Sequence, residues 1–318
     1  MYQVPDQTGR RIVVTGANSG TGKEATKRLA AAGATLVMAV RSLEKGNAAR
    51  AEIEKAVPDA RLEVRHIDLA DLSSVRSFAD ELLGTDLPLH TLVNNAGVMR
   101  PPKRIETVDG FELQFGSNFL GPFLLTNLLL PRLLESGSGR VATMSSGVAN
   151  MASIRFADLQ WRTSYRGFLA YGQSKLADML MGLHLAQVAE ENGWPLVSTI
   201  AHPGYTRTNL QTAGANLARR AEDAKPAIQW TILPSQGVEQ GAEPLLFAAA
   251  DPNAEQGAYY GPRNGLTGPT KRAAIPRSAR RGPNYAETLW AVAEGLTGAP
   301  RLADRGQPAL RGTLGSGV

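Results

Sequence analysis

The fold of this chain is decided near its N-terminus by the stretch Thr15-Gly16-Ala17-Asn18-Ser19-Gly20-Thr21-Gly22-Lys23. An apolar run at residues 12–14 precedes this stretch, and a helical pattern at residues 23–32 follows it. Glycine lets the backbone take a positive φ and lets a phosphate group come close. A helix that begins near Thr21 adds unpaired N–H groups and the positive end of its dipole. The stretch therefore predicts a strand–turn–helix unit that binds a pyrophosphate, rather than a tight turn without a ligand.

Short apolar runs alternate with longer helical patterns over most of the chain. Strands are expected at residues 11–15, 35–40, 62–67, 91–94, 141–145 and 197–201, with a short seventh strand at 258–260. Helices are expected at residues 23–32, 42–56, 73–83, 111–134 and 172–191. Strand–helix repeats of this kind form a parallel sheet with helices on both faces. We therefore predict an α/β fold with a doubly wound, Rossmann-like parallel sheet in a single domain.

The composition is that of a globular protein, since 43% of the 318 residues are hydrophobic and 20% are charged. The chain has no cysteine, which excludes disulfides, thiolate nucleophiles and zinc–thiolate sites. Its four histidines fall in separate predicted elements without the spacing of a metal site. No metal is expected.

The charge distribution and the hydropathy pattern limit the partners. The net charge is +5, and six basic residues fall between Arg263 and Arg281 with no acidic residue among them. One basic loop is weak evidence for a nucleic-acid surface, so we expect a solvated loop and no nucleic-acid partner. Residues 1–11 are polar, and no apolar stretch is long enough to cross a bilayer. We expect a cytoplasmic protein without a membrane span.

The end of the second predicted strand indicates which dinucleotide binds. In doubly wound folds an acidic residue there binds the ribose 2′-hydroxyl of NAD, whereas an arginine accommodates the 2′-phosphate of NADP. This strand ends at Arg41, and no aspartate or glutamate occurs between Glu24 and Glu44. Arginine can bind a phosphate with two hydrogen bonds and stays charged. The sequence favours NADP(H) over NAD(H); the alternative is a solvent-facing arginine at a strand end.

A second run of residues carries the chemistry, Tyr171-Gly172-Gln173-Ser174-Lys175. Positions four apart share one face of a helix, so Tyr171 and Lys175 point the same way. A nearby ammonium stabilises a phenolate and lowers the pKa of a tyrosine from its ordinary value of about 10. A Tyr/Lys pair at this spacing is common by chance. Its position after the fifth predicted strand, in a chain with this glycine loop, makes it specific.

The Thr-Gly-x3-Gly-x-Gly spacing and the Tyr-x3-Lys run resemble the short-chain dehydrogenase/reductase family, in its single-domain branch. The resemblance extends from about residue 10 to about residue 261, and the long insert before Tyr171 is similar to that of retinol-dehydrogenase-like members. It implies a strand order of 3-2-1-4-5-6-7. We expect residues 1–296 to form one dinucleotide-binding and catalytic domain, with a long basic loop at about 261–283 and a flexible tail at 297–318.

The resemblance also implies the site residues. The implied catalytic residues are Asn118, Ser146, Tyr171 and Lys175, with Ser145 as the fallback for the serine. The implied cofactor-binding residues are Gly16, Asn18, Ser19, Gly20, Thr21, Gly22, Arg41, Asp68, Leu69, Asn95, Ala96, Gly97, Tyr171, Lys175, Pro203, Gly204, Thr206 and Thr208. For the threonine that holds the nicotinamide carboxamide, Thr208 is the better match and Thr206 the alternative.

By the same resemblance, the chain transfers a hydride between NADP(H) and an alcohol or carbonyl substrate. In reduction Tyr171 donates a proton to the developing alkoxide, Ser146 steadies the oxygen, and Lys175 binds the nicotinamide ribose. Asn118 holds a water of a proton relay. Pro122 departs from the family's pattern and either sets the relay geometry or is inert. The rival interpretation is a non-catalytic NAD(P)-binding regulatory protein on the same fold, which would have lost the Tyr/Lys pair.

Two apolar segments flank the proposed reaction centre and predict a bulky, lipophilic substrate. The first contains Ile154, Phe156, Leu159, Trp161 and Phe168, and the second contains Leu210, Leu217, Ile228, Trp230, Ile232 and Leu233. Three arginines, Arg155, Arg162 and Arg166, are scattered in the first and form no dedicated anion site. The alternative is that these apolar residues only pack the loops onto the sheet.

The helix expected at residues 111–134 indicates an assembly. It carries more apolar residues, Leu128 to Leu130 among them, than one buried face needs. The surplus predicts a homodimer or homotetramer that packs through this helix. The alternative is a monomer in which the helix is covered by its own chain.

Overall fold

A computed structural model of the chain describes residues 1–207, 234–282 and 284–302. In these ranges eight strands form one sheet in the order β3-β2-β1-β4-β5-β6-β7-β8. The strands are β1 (Arg11–Thr15), β2 (Thr35–Val40), β3 (Arg61–His66), β4 (Thr91–Asn94), β5 (Gly139–Met144), β6 (Leu196–Ala201), β7 (Tyr259–Pro262) and β8 (Thr270–Ala273). Strands β1 to β7 pair in parallel with one another, and the last strand, β8, pairs antiparallel with β7. The predicted doubly wound parallel sheet is confirmed.

Helices cover both faces of the sheet. They are α1 (Gly20–Ala31), α2 (Leu43–Ala56), α3 (Leu72–Leu83), α4 (Leu113–Phe115), α5 (Gly121–Glu135), α6 (Gly167–Glu191), α7 (Val238–Ala250) and α8 (Tyr285–Thr297). A π turn, Gly116–Leu120, joins α4 directly to α5. Successive residues of a strand point to opposite faces, and in β1 Val13 lies in one core while Ile12 and Val14 lie in the other. A strand that is buried on both faces needs the continuous apolar run seen in the sequence.

The segment at 261–283, which was predicted to be a long loop, contains the strand β8. Its residues Thr-Lys-Arg-Ala are half-buried or exposed, which is typical of a short strand at the edge of a sheet. The side chain of Arg272 forms an ion pair with Glu255, with 2.6 Å between the nitrogen and the oxygen. The loop prediction is wrong at these positions because a four-residue edge strand needs no apolar alternation.

Two helices, α7 and α8, were not predicted. Helix α7 carries Gly241 and Pro244 in its interior, which weakens its helical pattern. Helix α8 ends at Thr297, so the tail predicted at 297–318 begins inside ordered structure, and Leu302 is buried. The remainder of that predicted tail, residues 303–318, lies outside the described residues.

The apolar surplus of the helix at 111–134 is covered within one chain. Leu124, Leu125, Leu129 and Leu130 are all fully buried. Helices α3 and α8 pack on α5, and the rings of Trp290 and Phe123 lie 4.7 Å apart, edge to face. Most of the apolar surplus is therefore covered by the chain itself, by helix α8 among others, while Leu128 and Leu134 are half-buried. Assembly through this helix stays a prediction.

Candidate active site

The glycine loop lies at the carboxyl end of β1. The backbone N–H of Gly16 donates to the Ala39 carbonyl at 2.9 Å, which ties the loop to the end of β2. Gly16 has a φ of +68°, and a Cβ on Gly22 would collide with Asn95 Nδ2 and with the Gly16 carbonyl. Only glycine fits these two positions. The loop leads into α1 at Gly20, as the phosphate-binding prediction requires.

The N-terminus of α1 has the chemistry that a pyrophosphate needs. Within the described residues the side chain of Ser19 forms no capping hydrogen bond, so it does not occupy the first N–H groups of the helix. Asn18 is half-buried and Ser19 is exposed at the same turn. This cradle fits the phosphates of a dinucleotide.

Asn95 and its neighbours hold the loop from the side of β4. Thr21 Oγ1 donates to Asn95 Oδ1 at 2.9 Å, and Asn95 Nδ2 donates to the Thr15 carbonyl at 2.9 Å. The hydroxyl oxygen of Thr15 accepts from the backbone N–H groups of Asn95 and Ala96, each at 3.0 Å. The side chains of Asn95 and Thr21 therefore fix the shape of the glycine loop, a role that the sequence did not distinguish from direct contact with a cofactor.

Arg41 and the pair Asp68-Leu69 lie at the carboxyl ends of β2 and β3. Arg41 is exposed, and no carboxylate within residues 1–207, 234–282 and 284–302 lies at ion-pair distance from it. Asp68 Oδ1 accepts from the Ala70 N–H at 2.9 Å, while the Leu69 side chain is buried in the core. An exposed arginine at this position is suited to bind a phosphate group of a cofactor.

Tyr171 and Lys175 lie on α6, one turn apart, facing the carboxyl end of β5. Lys175 Nζ donates to the Met144 carbonyl at 2.9 Å and to Asp178 Oδ2 at 2.8 Å. Burial acts to lower the pKa of Lys175, but Asp178 and Tyr171 together outweigh this effect, and the pKa of Lys175 rises above its ordinary value. Burial also raises the pKa of Tyr171, while Lys175 and then Ser146 act to lower it. Asp178 was missed at the sequence level, where one acid on a helix indicates a solvent face.

The two candidate serines after β5 have different surroundings. Ser146 is half-buried, and its hydroxyl acts to lower the pKa of Tyr171. Ser145 is buried, and its hydroxyl donates to the Lys175 carbonyl at 2.6 Å. The hydroxyl of Ser145 thus fastens β5 to α6, and the arrangement supports Ser146 rather than the fallback.

Asn118 lies in the π turn and is almost fully hydrogen-bonded. Its Oδ1 accepts from the Val98 N–H at 2.7 Å, and its Nδ2 donates to the Val98 carbonyl at 3.0 Å and to Ser174 Oγ at 2.9 Å. Gly97 lies between Asn118 and Lys175, since a Cβ there would be 3.2 Å from Asn118 Oδ1 and 3.6 Å from Lys175 Nζ. The side chain of Asn118 therefore joins the loop after β4 to α6.

Pro122 follows the π turn and affects the Asn118 backbone. Proline has no N–H, so residue 122 cannot donate to the carbonyl four residues earlier, which belongs to Asn118. The N–H of Gly121 bonds instead to the Gly116 carbonyl. Single π turns are frequent at functional sites. The predicted role of Asn118 in holding a water of a proton relay stays a prediction.

The Pro203-Gly204 turn follows β6. Gly204 has a φ of +63°, and a Cβ there would collide with the Leu266 carbonyl. The Thr206 hydroxyl donates to the Pro203 carbonyl, and its side chain packs beneath Gly241. Thr206 is thus engaged in the turn itself. Thr208, the preferred match, lies outside the described residues.

A cavity of about 580 Å³ lies against the first turns of α6, and Gly172, the residue after Tyr171, is part of its lining. It is lined by Val148, Met151, Ala152, Ser153, Arg155, Trp161, Ser164, Arg166, Phe168, Leu169 and Gly172. Trp161 has a φ of +51°, strained for a bulky residue, and the Arg155 guanidinium lies 4.3 Å above its ring. The structure thus brings Arg155 and Arg166, which are apart in sequence, to one cavity.

The apolar residues of the insert divide between packing and lining. Ile154 and Leu159 belong to the core, and Phe156 rests on Tyr285 of α8 with 5.9 Å between ring centroids. Trp161 and Phe168 line the cavity. The alternative that the apolar residues only pack the insert onto the rest of the chain is therefore correct for Ile154, Phe156 and Leu159. The second segment, from Leu210 to Leu233, lies outside the described residues.

A polar network that the sequence did not indicate fastens this insert to α4. The buried carboxylate of Glu112 accepts from the Phe115 N–H at 2.8 Å and from the Tyr165 hydroxyl at 3.2 Å. Gln114 Nε2 donates to the Gly167 carbonyl at 3.0 Å, where α6 begins. Burial raises the pKa of Glu112. The partners are about fifty residues apart in sequence, so no local pattern could reveal them.

The part of the chain that the structure describes contains no group of three or more His, Cys, Asp or Glu side chains that could hold a metal ion. None of its helices is long and apolar enough to cross a membrane.

Comparison with known proteins identifies the family. Residues 10–216 match the model of the short chain dehydrogenase family. The chain is 39% identical over 303 residues to polyprenol dehydrogenase of Mus musculus, which covers 93% of this chain and 86% of the relative. It is 37% identical over 300 residues to retinol dehydrogenase 12 of Mus musculus, with 93% and 88% covered. A crystal structure of a protein from Mycobacterium Paratuberculosis superposes with a TM-score of 0.77 at 40% identity, covering 94% of this chain and 97% of that one.

These relatives are named as dehydrogenases, which removes the reason for a purely regulatory, non-catalytic interpretation. The family match covers the glycine loop, the Tyr-x3-Lys run and the turn after β6. The chain belongs to the short chain dehydrogenase family and is an NAD(P)-dependent oxidoreductase.

Proposed function

We propose that this chain is an NADP(H)-dependent oxidoreductase that interconverts a bulky, lipophilic carbonyl compound and its alcohol. The observation that carries the proposal is the Tyr171/Lys175 pair on α6, the helix whose Gly172 lines a largely apolar cavity. Ser146 follows β5, which packs against the same helix. A hydroxyl, a phenol and an ammonium are the groups that a proton transfer to a substrate oxygen requires.

The chain's own residues manage the proton and the substrate oxygen. The nicotinamide, when bound, supplies or accepts the hydride. In reduction the Tyr171 phenol donates its proton to the oxygen on which negative charge develops, and the Ser146 hydroxyl donates a hydrogen bond to the same oxygen. In oxidation Tyr171 accepts the proton. Lys175 stays charged in its buried position and stabilises the phenolate form.

The electrostatics of Tyr171 keep its phenol protonated at neutral pH. Burial raises the pKa of the phenol, and Lys175 only partly opposes this effect. A phenol that remains protonated at neutral pH is ready to act as an acid. Oxidation requires the phenolate, so we expect it to be faster in alkaline solution.

NADP(H) is proposed over NAD(H) on the strength of Arg41. This exposed arginine follows β2 directly, and the loop that begins at Gly16 is hydrogen-bonded to Ala39 in the same strand. Arg41 thus follows the strand end at which a 2′-phosphate of the adenine ribose would be bound, and this position supports NADP(H).

The lipophilic substrate is proposed from the cavity and from the relatives. Val148, Met151, Trp161, Phe168 and Leu169 give its lining an apolar character. Arg155 is engaged with the Trp161 ring and lies 3.8 Å from Asp158, so it is not dedicated to a substrate anion. Polyprenol and retinol, after which two relatives are named, are long apolar alcohols.

Two finer expectations stay predictions. One is the cytoplasmic location. The other is assembly as a homodimer or homotetramer; on α5, Leu128 and Leu134 are half-buried and Pro131 is exposed.

The experiment is NADPH consumption with a homologous series of straight-chain aldehydes. Each added buried methylene contributes about 0.8 kcal/mol, close to fourfold in kcat/KM, until the cavity is full. Phe168→Ala widens the cavity and should move the optimum to longer aldehydes, while Phe156→Ala, which alters a ring packed on Tyr285, is the matched control. A flat series, or a preference for short charged aldehydes, would rule out the lipophilic substrate.

A further inference from the structure

Helix α6 places a buried carboxylate one turn after the lysine of the Tyr/Lys pair. The Asp178 side chain is 1% exposed and that of Lys175 is 4% exposed, and their charged atoms lie 2.8 Å apart. An ammonium has three N–H groups. Within the described residues, one bonds to Asp178 Oδ2 and one to the Met144 carbonyl. The third is left for the Tyr171 side of the site.

Burial of the Asp178 carboxylate costs free energy, which indicates that this residue has a function. Taking a charge out of water is unfavourable unless it is paired and fully hydrogen-bonded. Asp178 Oδ1 has no hydrogen-bond partner among the described residues. Burial raises the pKa of Asp178 to about 7, although Lys175 opposes the shift.

The charges that act on this pair are few. Helix α6 packs against β5, β6, α4, the π turn, α8 and two short 3₁₀ turns, Gly147–Met151 and Arg277–Ala279. These elements include Arg140 on β5, Arg277 in the second 3₁₀ turn, and Glu287 and Glu294 on α8. In the described part of the chain none of these four groups affects the pKa of Asp178 or of Tyr171. Lys175 acts on both groups, and Asp178 acts on Tyr171. The three side chains form one electrostatic unit.

We propose that Asp178 is a positioning residue that anchors the Lys175 ammonium and sets the pH range in which Tyr171 works as an acid. The inference rests on the proposed function, because it assigns Asp178 a part in the same proton transfer. The negative charge of Asp178 disfavours the phenolate and so raises the pKa of Tyr171. It thereby keeps the phenol protonated to higher pH, in favour of carbonyl reduction.

The test is the pH profile of kcat for aldehyde reduction by Asp178→Asn. Asparagine retains an oxygen that can accept from Lys175 but removes the charge. Because Asp178 then no longer raises the pKa of Tyr171, the alkaline limb of the profile should move to lower pH. Asp178→Glu keeps the charge, and its limb should stay with the wild type.

Controls separate charge from packing and from folding. Asp251→Asn removes another buried carboxylate, one that is bonded to Tyr2, and should not move the limb. Asp178→Ser, a smaller neutral side chain, takes the place of the asparagine variant if the latter does not fold. An alkaline limb that coincides with the wild type in the neutral variants, or that moves equally in Asp178→Glu, overturns the role of Asp178.

Failure of the proposed function would look different. The profile of the wild type is measured together with that of Tyr171→Phe. Turnover that depends on Tyr171, with an unmoved limb in the neutral variants, overturns the inference alone. Turnover that survives Tyr171→Phe overturns the proposed function and this inference with it.

Discussion

The side chain of Asn118 forms two hydrogen bonds with the backbone of Val98, accepting from its N–H at 2.7 Å and donating to its carbonyl at 3.0 Å. Twenty residues separate the two positions, and the bonds hold the loop after β4 against the π turn. The same side chain reaches Ser174, next to Lys175. One amide therefore fixes the spacing between the loop, the turn and the helix that carries the Tyr/Lys pair.

This relationship predicts a stability difference between two asparagines of the same helical segment. Asn118→Ala leaves the Val98 N–H and carbonyl without their partner, and an unpaired buried polar group costs about 1–3 kcal/mol. Asn127→Ala removes a buried side chain whose Oδ1 has no partner in the described structure. In urea unfolding we expect the Asn118 variant to lose about 2 kcal/mol more than the Asn127 variant. Equal losses would contradict the joining role of Asn118.

Replacement of Arg41 should change the choice of cofactor. A charge-assisted hydrogen bond contributes about 1.5–3 kcal/mol, so Arg41→Asp should weaken NADPH binding by about tenfold or more and erase or reverse the preference over NADH. Fluorescence titration with both cofactors measures this. Arg61→Asp is the charge-matched control, because Arg61 lies at the amino end of β3, whereas Arg41 follows the carboxyl end of the neighbouring strand β2. Tighter binding of NADH than NADPH by the wild type would show that Arg41 has no such role.

The buried histidine at the end of β6 should make the protein sensitive to acid. His202 is packed against Gly261 and the Tyr259 ring, and burial lowers its pKa to about 4. The unfolded chain binds this proton near pH 6.5, so the stabilising effect is complete above pH 6.5 and is lost as the pH falls to about 4. The loss amounts to about 3 kcal/mol in the free energy of unfolding.

Denaturant unfolding between pH 7 and pH 4.5 tests this expectation. The pH dependence should be smaller in His202→Asn by about that amount, whereas His66→Gln, which changes an exposed histidine on β3, should follow the wild type. An unchanged pH dependence in His202→Asn would refute the assignment.

The sheet could be predicted in large part because its strands are buried on both faces. Strands β1, β2 and β4 have the predicted bounds, because a continuous apolar run such as Ile12–Val13–Val14 is typical of a strand that is buried on both faces. The strand β8 and the helices α7 and α8 could not be predicted in this way. The strand Thr270–Ala273 is polar and short. The helix α7 is continuous, but Gly241 and Pro244 in its interior weaken the helical pattern of its sequence.

The site was predictable where chemistry depends on local spacing. The glycine loop and the Tyr171/Lys175 pair each lie within one short run. Contacts between distant segments were not predictable, as with Glu112 and Tyr165. Asp178 illustrates a different limit. A charged residue one turn from Lys175 indicates an exposed helix face, and only the packing of α6 against β5 shows that the pair is buried.

The most direct test of the central claim is turnover by Tyr171→Phe, which removes the transferable proton and keeps the ring. General acid–base groups contribute about 10²–10⁴-fold, so we expect kcat for aldehyde reduction to fall by at least that range while NADPH still binds. Tyr260→Phe, which removes a hydroxyl on β7, is the matched control and should keep its turnover. A Tyr171→Phe protein that binds NADPH and reduces aldehydes at a near-normal rate would contradict the account.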